Sequence, residues 1–120
     1  MFIGGGIGAS LRYWLGLWIS ARTNISFPWG TLLINLSGSF LIGLILGWLA
    51  NSPFALGWRI FIVIGILGGY TTFSSFAMET VNLLRERSYM YATSYFFGTC
   101  LLGLAACWTG VIISHAMGRN

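Results

Sequence analysis

The 120-residue sequence has no lysine and no aspartate; its only charged residues are six arginines and two glutamates. An average soluble domain carries about 25% charged residues, against 7% here. A soluble domain of this length leaves much of its surface wet and needs polar groups to cover it. This composition excludes that class, and disorder with it. Two cysteines are too few for a disulfide-stapled secreted domain. The net charge of +4 reflects the shortage of acids, with no basic cluster dense enough to grip nucleic-acid phosphates. One histidine offers no paired haem or metal ligation. Two glutamates seven residues apart, Glu79 and Glu86, make a poor catalytic set, so no enzyme is expected. What is present is 57% hydrophobic residues and 17 glycines, with a mean hydropathy of +0.82. The chain reads as an all-α integral membrane protein.

The charges sit at Arg12, Arg22, Arg59, Glu79, Arg85, Glu86, Arg87 and Arg119. Residues 23–58, 60–78 and 88–118 hold none. A helix crossing the hydrocarbon core needs about 20 residues, and four such spans fit, at 2–20, 30–50, 58–83 and 89–115. Asn24 to Pro28, Asn51-Ser52-Pro53 and the run Arg85-Glu86-Arg87 separate them. No ten-residue alternating segments support a transmembrane β-barrel. The apolar N-terminus lacks a basic n-region and carries Arg12, so it is kept as the first span rather than a signal peptide. Gly4 to Ala9 fits the dinucleotide pattern G-x-G-x-x-A, but no strand precedes it and no acid follows about 20 residues on; close helix packing is the reading preferred. One four-helix domain, residues 1–120, is expected.

With four spans, Arg59 and Arg119 fall on one side and Arg22, Arg85 and Arg87 on the other. That balance scarcely specifies a direction under the positive-inside rule. Either local lipid contacts decide where the arginines sit, or copies insert both ways and pair antiparallel about a two-fold axis in the membrane plane.

Stepping by four, the second span reads Thr31, Asn35, Ser39, Gly43, Gly47 and the first Gly4, Gly8, Arg12, Gly16, Ser20. The fourth reads Tyr95, Thr99, Gly103, Cys107. Small residues in lipid mark close helix contacts. The hydroxyls and the amide on the same stripes need neighbours, water or a permeating solute, because a buried polar group without a partner is costly. In the third span, Gly68-Gly69-Tyr70-Thr71-Thr72 places poor helix formers at mid-membrane depth. Two readings stand: a smooth helix with a glycine-lined face, or an interrupted helix whose freed carbonyls suit a hard cation. Arg12, the only cation well inside a span, must face protein or water. It ties down a neighbouring helix or draws anions into a vestibule. Cys100 and Cys107 lie two turns apart on one helix and cannot pair within it.

Three segments together resemble the CrcB/Fluc family of fluoride channels: Gly4-x-x-x-Gly8-Ala9-x-x-Arg12-Tyr13, Pro28-Trp29-Gly30-Thr31-x-x-x-Asn35-x-x-Gly38-Ser39-Phe40, and Gly68-Gly69-Tyr70-Thr71-Thr72-Phe73-Ser74-Ser75-Phe76-x-x-Glu79. The resemblance implies an antiparallel, dual-topology homodimer of four-helix subunits in the plasma (inner) membrane, with the third helix broken mid-membrane and two fluoride pores. It further implies a structural sodium ion at the dimer interface, held by the backbone carbonyls of Gly68 and Thr71. Asn35, Phe73, Ser74, Ser75, Phe76, Tyr95 and Thr99 match the pore positions, the family often having Thr where Ser75 stands. Beyond Thr99, Leu101 and Gly103 occupy positions where further polar groups are expected. Glu79 matches an acidic position one turn below the second Phe, at the pore mouth; without the resemblance it is an end-of-helix carboxylate near Arg85.

The chemistry of these residues suits an anion. Asn, Ser, Thr and Tyr offer neutral donors, and aromatic rings present a positive edge. A fixed arginine at the narrowest point would hold the ion too well for conduction. The rival reading is a small dual-topology multidrug or cation transporter of four helices. Proton-coupled export would need an acid within the membrane, commonly in the first span, where this chain has Arg12.

Overall fold

The computed structural model describes residues 1–23, 27–49 and 55–118. Part of the Asn24–Pro28 breaker, all of Asn51-Ser52-Pro53, the end of the second expected span at Ala50, and Arg119 lie outside the described residues. Among the described residues every regular element is helical.

Helix α1 spans Phe2–Arg22. It ends where Thr23 turns extended (φ −114°, ψ 127°) and returns both its backbone N–H and its Oγ1 to the Ile19 carbonyl, each at 3.0 Å. Arg22 folds back over the Trp18 ring, 4.0 Å from its centroid, and donates to the Trp18 carbonyl at 3.2 Å. A cation at that end complements the helix dipole. Helix α2 runs Trp29–Leu49, with Pro28 immediately before it.

The third segment has four parts. α3 (Ala55–Arg59) leads into a π-helical stretch, Ile60–Leu67, and then a single turn, α4 (Gly68–Tyr70). Thr71 (φ −81°, ψ 157°) and Thr72 (φ −149°, ψ 120°) are extended, and α5 (Phe73–Arg85) follows. Thr72 caps α5: its Oγ1 accepts from the Ser75 N–H at 3.2 Å, satisfying one of the donors left free at a helix start. α5 closes with paired bonds, Ser88 N–H to the Leu83 carbonyl at 2.9 Å and Arg87 N–H to the Leu84 carbonyl at 3.1 Å, with Arg87 left-handed at φ 62°. That is the Schellman geometry. α6 then runs Tyr89–Met117.

Glycines set the packing, because small residues let backbones approach where lipid provides no hydrophobic drive. α2 packs along α6 more extensively than any other pair. A side chain at Gly43 would strike the Cys107 carbonyl, and one at Gly110 the Phe40 carbonyl and Leu44 amide. α1 packs against the π-helical stretch and α4. There a Cβ on Gly8 would overlap the Ile66 carbonyl, and one on Gly4 would meet the Phe61 carbonyl at 2.9 Å. The stripes of small residues read from the sequence are thus helix contacts.

The internal core is small, built on Leu32, Phe76, Leu83, Ala92 and Tyr95, with Phe27 and Leu36 against it. Large apolar residues such as Phe2, Leu56, Leu104 and Met90 lie on the outside, as a lipid-facing surface requires. Among the described residues, three stretches are long and apolar enough to cross a membrane: Trp29–Leu49, Leu56–Arg85 and Tyr89–Met117. α1 has comparable length but is not among them; Arg12 and its run of glycines lower its hydropathy. The chain is a helical membrane protein.

Candidate functional site

The extended pair Thr71-Thr72 sits where two cavities meet. The first, of about 360 Å³, lies between α2, the end of the π-helical stretch, the start of α5 and α6. Asn35, Gly68, Thr71, Phe73, Phe76 and Thr99 are among its walls, and no charged side chain is. The second, of about 540 Å³, holds Arg12 and Glu79 with Thr31 and Ser75. Thr72 lines both. Of the residues singled out in the sequence, these cavities gather all but Ser74 and Tyr95.

Asn35 grips Thr72 from α2. Its Nδ2 donates to the Thr72 carbonyl and its Oδ1 accepts from the Thr72 N–H, each at 2.9 Å. One Nδ2 hydrogen is left over. In an uninterrupted helix the Thr72 N–H would reach the Gly68 carbonyl, and the Ser75 N–H would reach that of Thr71. Both donors go to side chains here, Asn35 Oδ1 and Thr72 Oγ1. The Gly68 and Thr71 carbonyls thereby lose their helical donors, as do those of Gly69 and Tyr70, because Phe73 and Ser74 open α5.

The two phenylalanines differ in setting. Phe73 is 77% exposed on the surface of the chain, while Phe76 is 5% exposed and packed against Tyr95 and Phe96. Their ring centroids are 5.7 Å apart at 50°. Ser74 is exposed, its hydroxyl 3.3 Å from Thr72 Oγ1. Tyr95 is fully buried and lines neither cavity; its hydroxyl donates to Glu79 Oε2 at 2.9 Å. Thr31 donates to Glu79 Oε1 at 2.7 Å. Glu79 thus joins α2, α5 and α6 through two neutral donors, and does not stand as a lone carboxylate at a helix end. Thr99 Oγ1 is buried in the wall of the uncharged cavity and has no hydrogen-bond partner among the described residues. Buried hydroxyls rarely go unpaired, so its partner is to be sought in the cavity.

Two residues of the site escaped the sequence reading as site residues. Thr72 caps α5 and lines both cavities, and its cue is the preference for threonine at a helix N-cap. Thr31 lies on the polar stripe of α2, but nothing in the sequence gave its pairing with Glu79.

The sequence matches the model of one protein family, described as CrcB-like protein, Camphor Resistance (CrcB), over residues 1–111. The chain belongs to the CrcB-like family. All the residues of both cavities fall inside that CrcB-like match. Similar proteins include the fluoride-specific ion channel FluC of Rhizobium meliloti (strain 1021), 39% identical over 115 residues that cover 95% of this chain and 92% of the relative. That of Thermus thermophilus is 41% identical, covering 96% and 91%. That of Helicobacter pylori is 42% identical, covering 98% and 89%.

Proposed function

We propose that this chain forms a passive fluoride-selective channel through which fluoride leaves the cell down its gradient. The observation that carries the reading is the uncharged cavity beside Thr71-Thr72, lined by Asn35, Phe73, Phe76 and the unpaired Thr99 hydroxyl, in a chain whose relatives over nine-tenths of its length are named fluoride-specific channels.

Fluoride is small and strongly hydrated, so a path must replace its water with close donors yet hold it weakly enough to release it. The free Nδ2 hydrogen of Asn35, the hydroxyls of Ser74, Ser75 and Thr99, and the ring edges of Phe73 and Phe76 supply neutral contacts of that kind, whereas Tyr95, its hydroxyl committed to Glu79, backs the Phe76 ring. The cavity holding Arg12 and Glu79 serves as the vestibule, where Arg12 attracts the anion from bulk water.

The working unit in this reading is an antiparallel, dual-topology homodimer in the plasma (inner) membrane, with four crossings per subunit, α1 included, and two pores. The exposed Phe73 and Ser74 at the extended pair favour a partner copy covering that face. A structural sodium ion at the interface fits the donor set: Gly68 and Thr71 carry carbonyl oxygens without their helical donors, and hard cations take oxygen ligands. The ion would supply fixed positive charge, and the chain's own part is to hold the two carbonyls free of helical bonding.

The test is efflux from liposomes containing the purified protein, with fluoride and chloride recorded separately. Fluoride efflux far above chloride, and insensitive to a proton gradient, is expected. Equal rates, or no efflux above empty liposomes, would refute the channel; proton-coupled movement would favour the transporter.

A further inference from the structure

We infer that Asn35 is a positioning residue of the cation site: by pairing with both backbone groups of Thr72 it holds that residue out of the helix and thereby frees the Gly68 carbonyl. The inference rests on the sodium reading above and goes beyond it, since Asn35 was singled out as a pore donor only.

The geometry is reciprocal. Thr72 N–H to Oδ1 and Nδ2 to the Thr72 carbonyl, both 2.9 Å, give one residue the two bonds that a neighbouring strand would give it, and Thr72 has strand-like dihedrals to match (φ −149°, ψ 120°). At membrane depth an extended residue without such a partner leaves both its groups unsatisfied, and non-helical backbone survives only where protein satisfies it. Remove the amide, and the acceptor that a continued helix offers the Thr72 N–H is the Gly68 carbonyl, one turn back. That bond consumes the oxygen the cation needs.

Two neighbours on α2 keep Asn35 in reach. Gly38, one turn on, has no side chain; a Cβ there would collide with the Thr71 methyl group. Ser37 and Tyr70 share a 2.9 Å hydroxyl–hydroxyl bond that fastens the end of α4 to the same helix. α2 therefore grips the chain on both sides of the break point, and Asn35 acts directly on its backbone.

The test uses the full chain in detergent micelles, with sodium chloride against choline chloride. The readout is the sodium-dependent rise in unfolding temperature, for the wild type, Asn35→Leu and Asn35→Asp. Leu offers Thr72 neither bond; Asp keeps an acceptor for its N–H. The expected pattern is a sodium response in the wild type, its loss in Asn35→Leu, and its retention in Asn35→Asp on a lower baseline. A response kept in Asn35→Leu, or lost in both variants, overturns the inference while leaving the sodium reading intact. No response in the wild type overturns the sodium reading itself and this inference with it. Hydrogen exchange on wild-type protein labelled with ¹⁵N-threonine needs no variant to fold: a slowly exchanging Thr72 amide is expected, and exchange at the rate of an open loop overturns the pairing.

Discussion

Tyr95 on α6 donates its hydroxyl to the Glu79 carboxylate on α5 at 2.9 Å, and the other carboxylate oxygen accepts from Thr31 on α2 at 2.7 Å. One acid therefore ties together three helices, adding to the Asn35–Thr72 pair that joins α2 to the start of α5. Removing it orphans two hydroxyls, each of which costs about 1–3 kcal/mol when buried without a partner. Glu79→Ala is expected to lower the unfolding temperature more than Tyr95→Phe, which removes only one donor. Glu79→Gln should fall between them, since its amide still offers one acceptor. Thermal unfolding of the three purified variants, compared in one detergent, checks the order.

Glycine contacts give a sharper contrast. A Cβ on Gly8 would overlap the Ile66 carbonyl and come within 2.7 Å of the Tyr70 amide nitrogen, backbone atoms that cannot swing aside. One on Gly6 meets nothing within 4 Å. Gly8→Ala is expected to destabilise by about 1–3 kcal/mol or more, as overpacking does. Gly6→Ala should be neutral or stabilising by up to about 1 kcal/mol through helix propensity. Equal unfolding temperatures for the two variants would contradict the close approach of α1 to the third segment.

Phe73 and Phe76 should separate stability from transport. Phe76 is buried against Tyr95 and Phe96, and its truncation to Ala is expected to cost about 3–5 kcal/mol. Phe73 is largely exposed on the chain, so Phe73→Ile should leave the fold near wild type and, on the channel reading, cut fluoride efflux sharply. Full efflux from Phe73→Ile in liposomes would show that the exposed ring takes no part in permeation.

Arg87 closes α5 in the left-handed region at φ 62°, a conformation costing roughly 1–2 kcal/mol for a residue with a Cβ. Gly adopts it freely but loses more chain entropy on folding, roughly 0.5–1 kcal/mol. Arg87→Gly is therefore expected to be neutral or slightly stabilising, and Arg87→Val clearly destabilising. The unfolding temperatures of the two variants give the sign directly.

The membrane class, the helical architecture and the helix-contact role of the small-residue stripes could be read from composition and spacing alone. Charge-free runs in a chain with eight charges admit few alternatives. The poor helix formers from Gly68 to Thr72 likewise pointed to the place where two residues turn extended. The π-helical stretch Ile60–Leu67 was out of reach, because π-helix is rare and an apolar run carries no local signature of it. Side-chain pairings between distant helices were equally hidden. Asn35 and Thr72 are 37 positions apart, and nothing in either residue names the other. The same holds for Glu79: its position one turn beyond Phe76 was visible, but its bonds to Thr31 and Tyr95 depend on how α2, α5 and α6 pack.

The low hydropathy of α1 and its glycine contacts with the third segment bear on how the chain is made. α1 is made before the third segment, yet it is not among the three stretches of the described residues that are long and apolar enough to cross a membrane. The surfaces that receive Gly4, Gly8 and Gly5 belong to residues 61–70, about sixty positions later. Its final seat exists only once those residues are synthesised, so α1 must wait for a part of the chain made well after it.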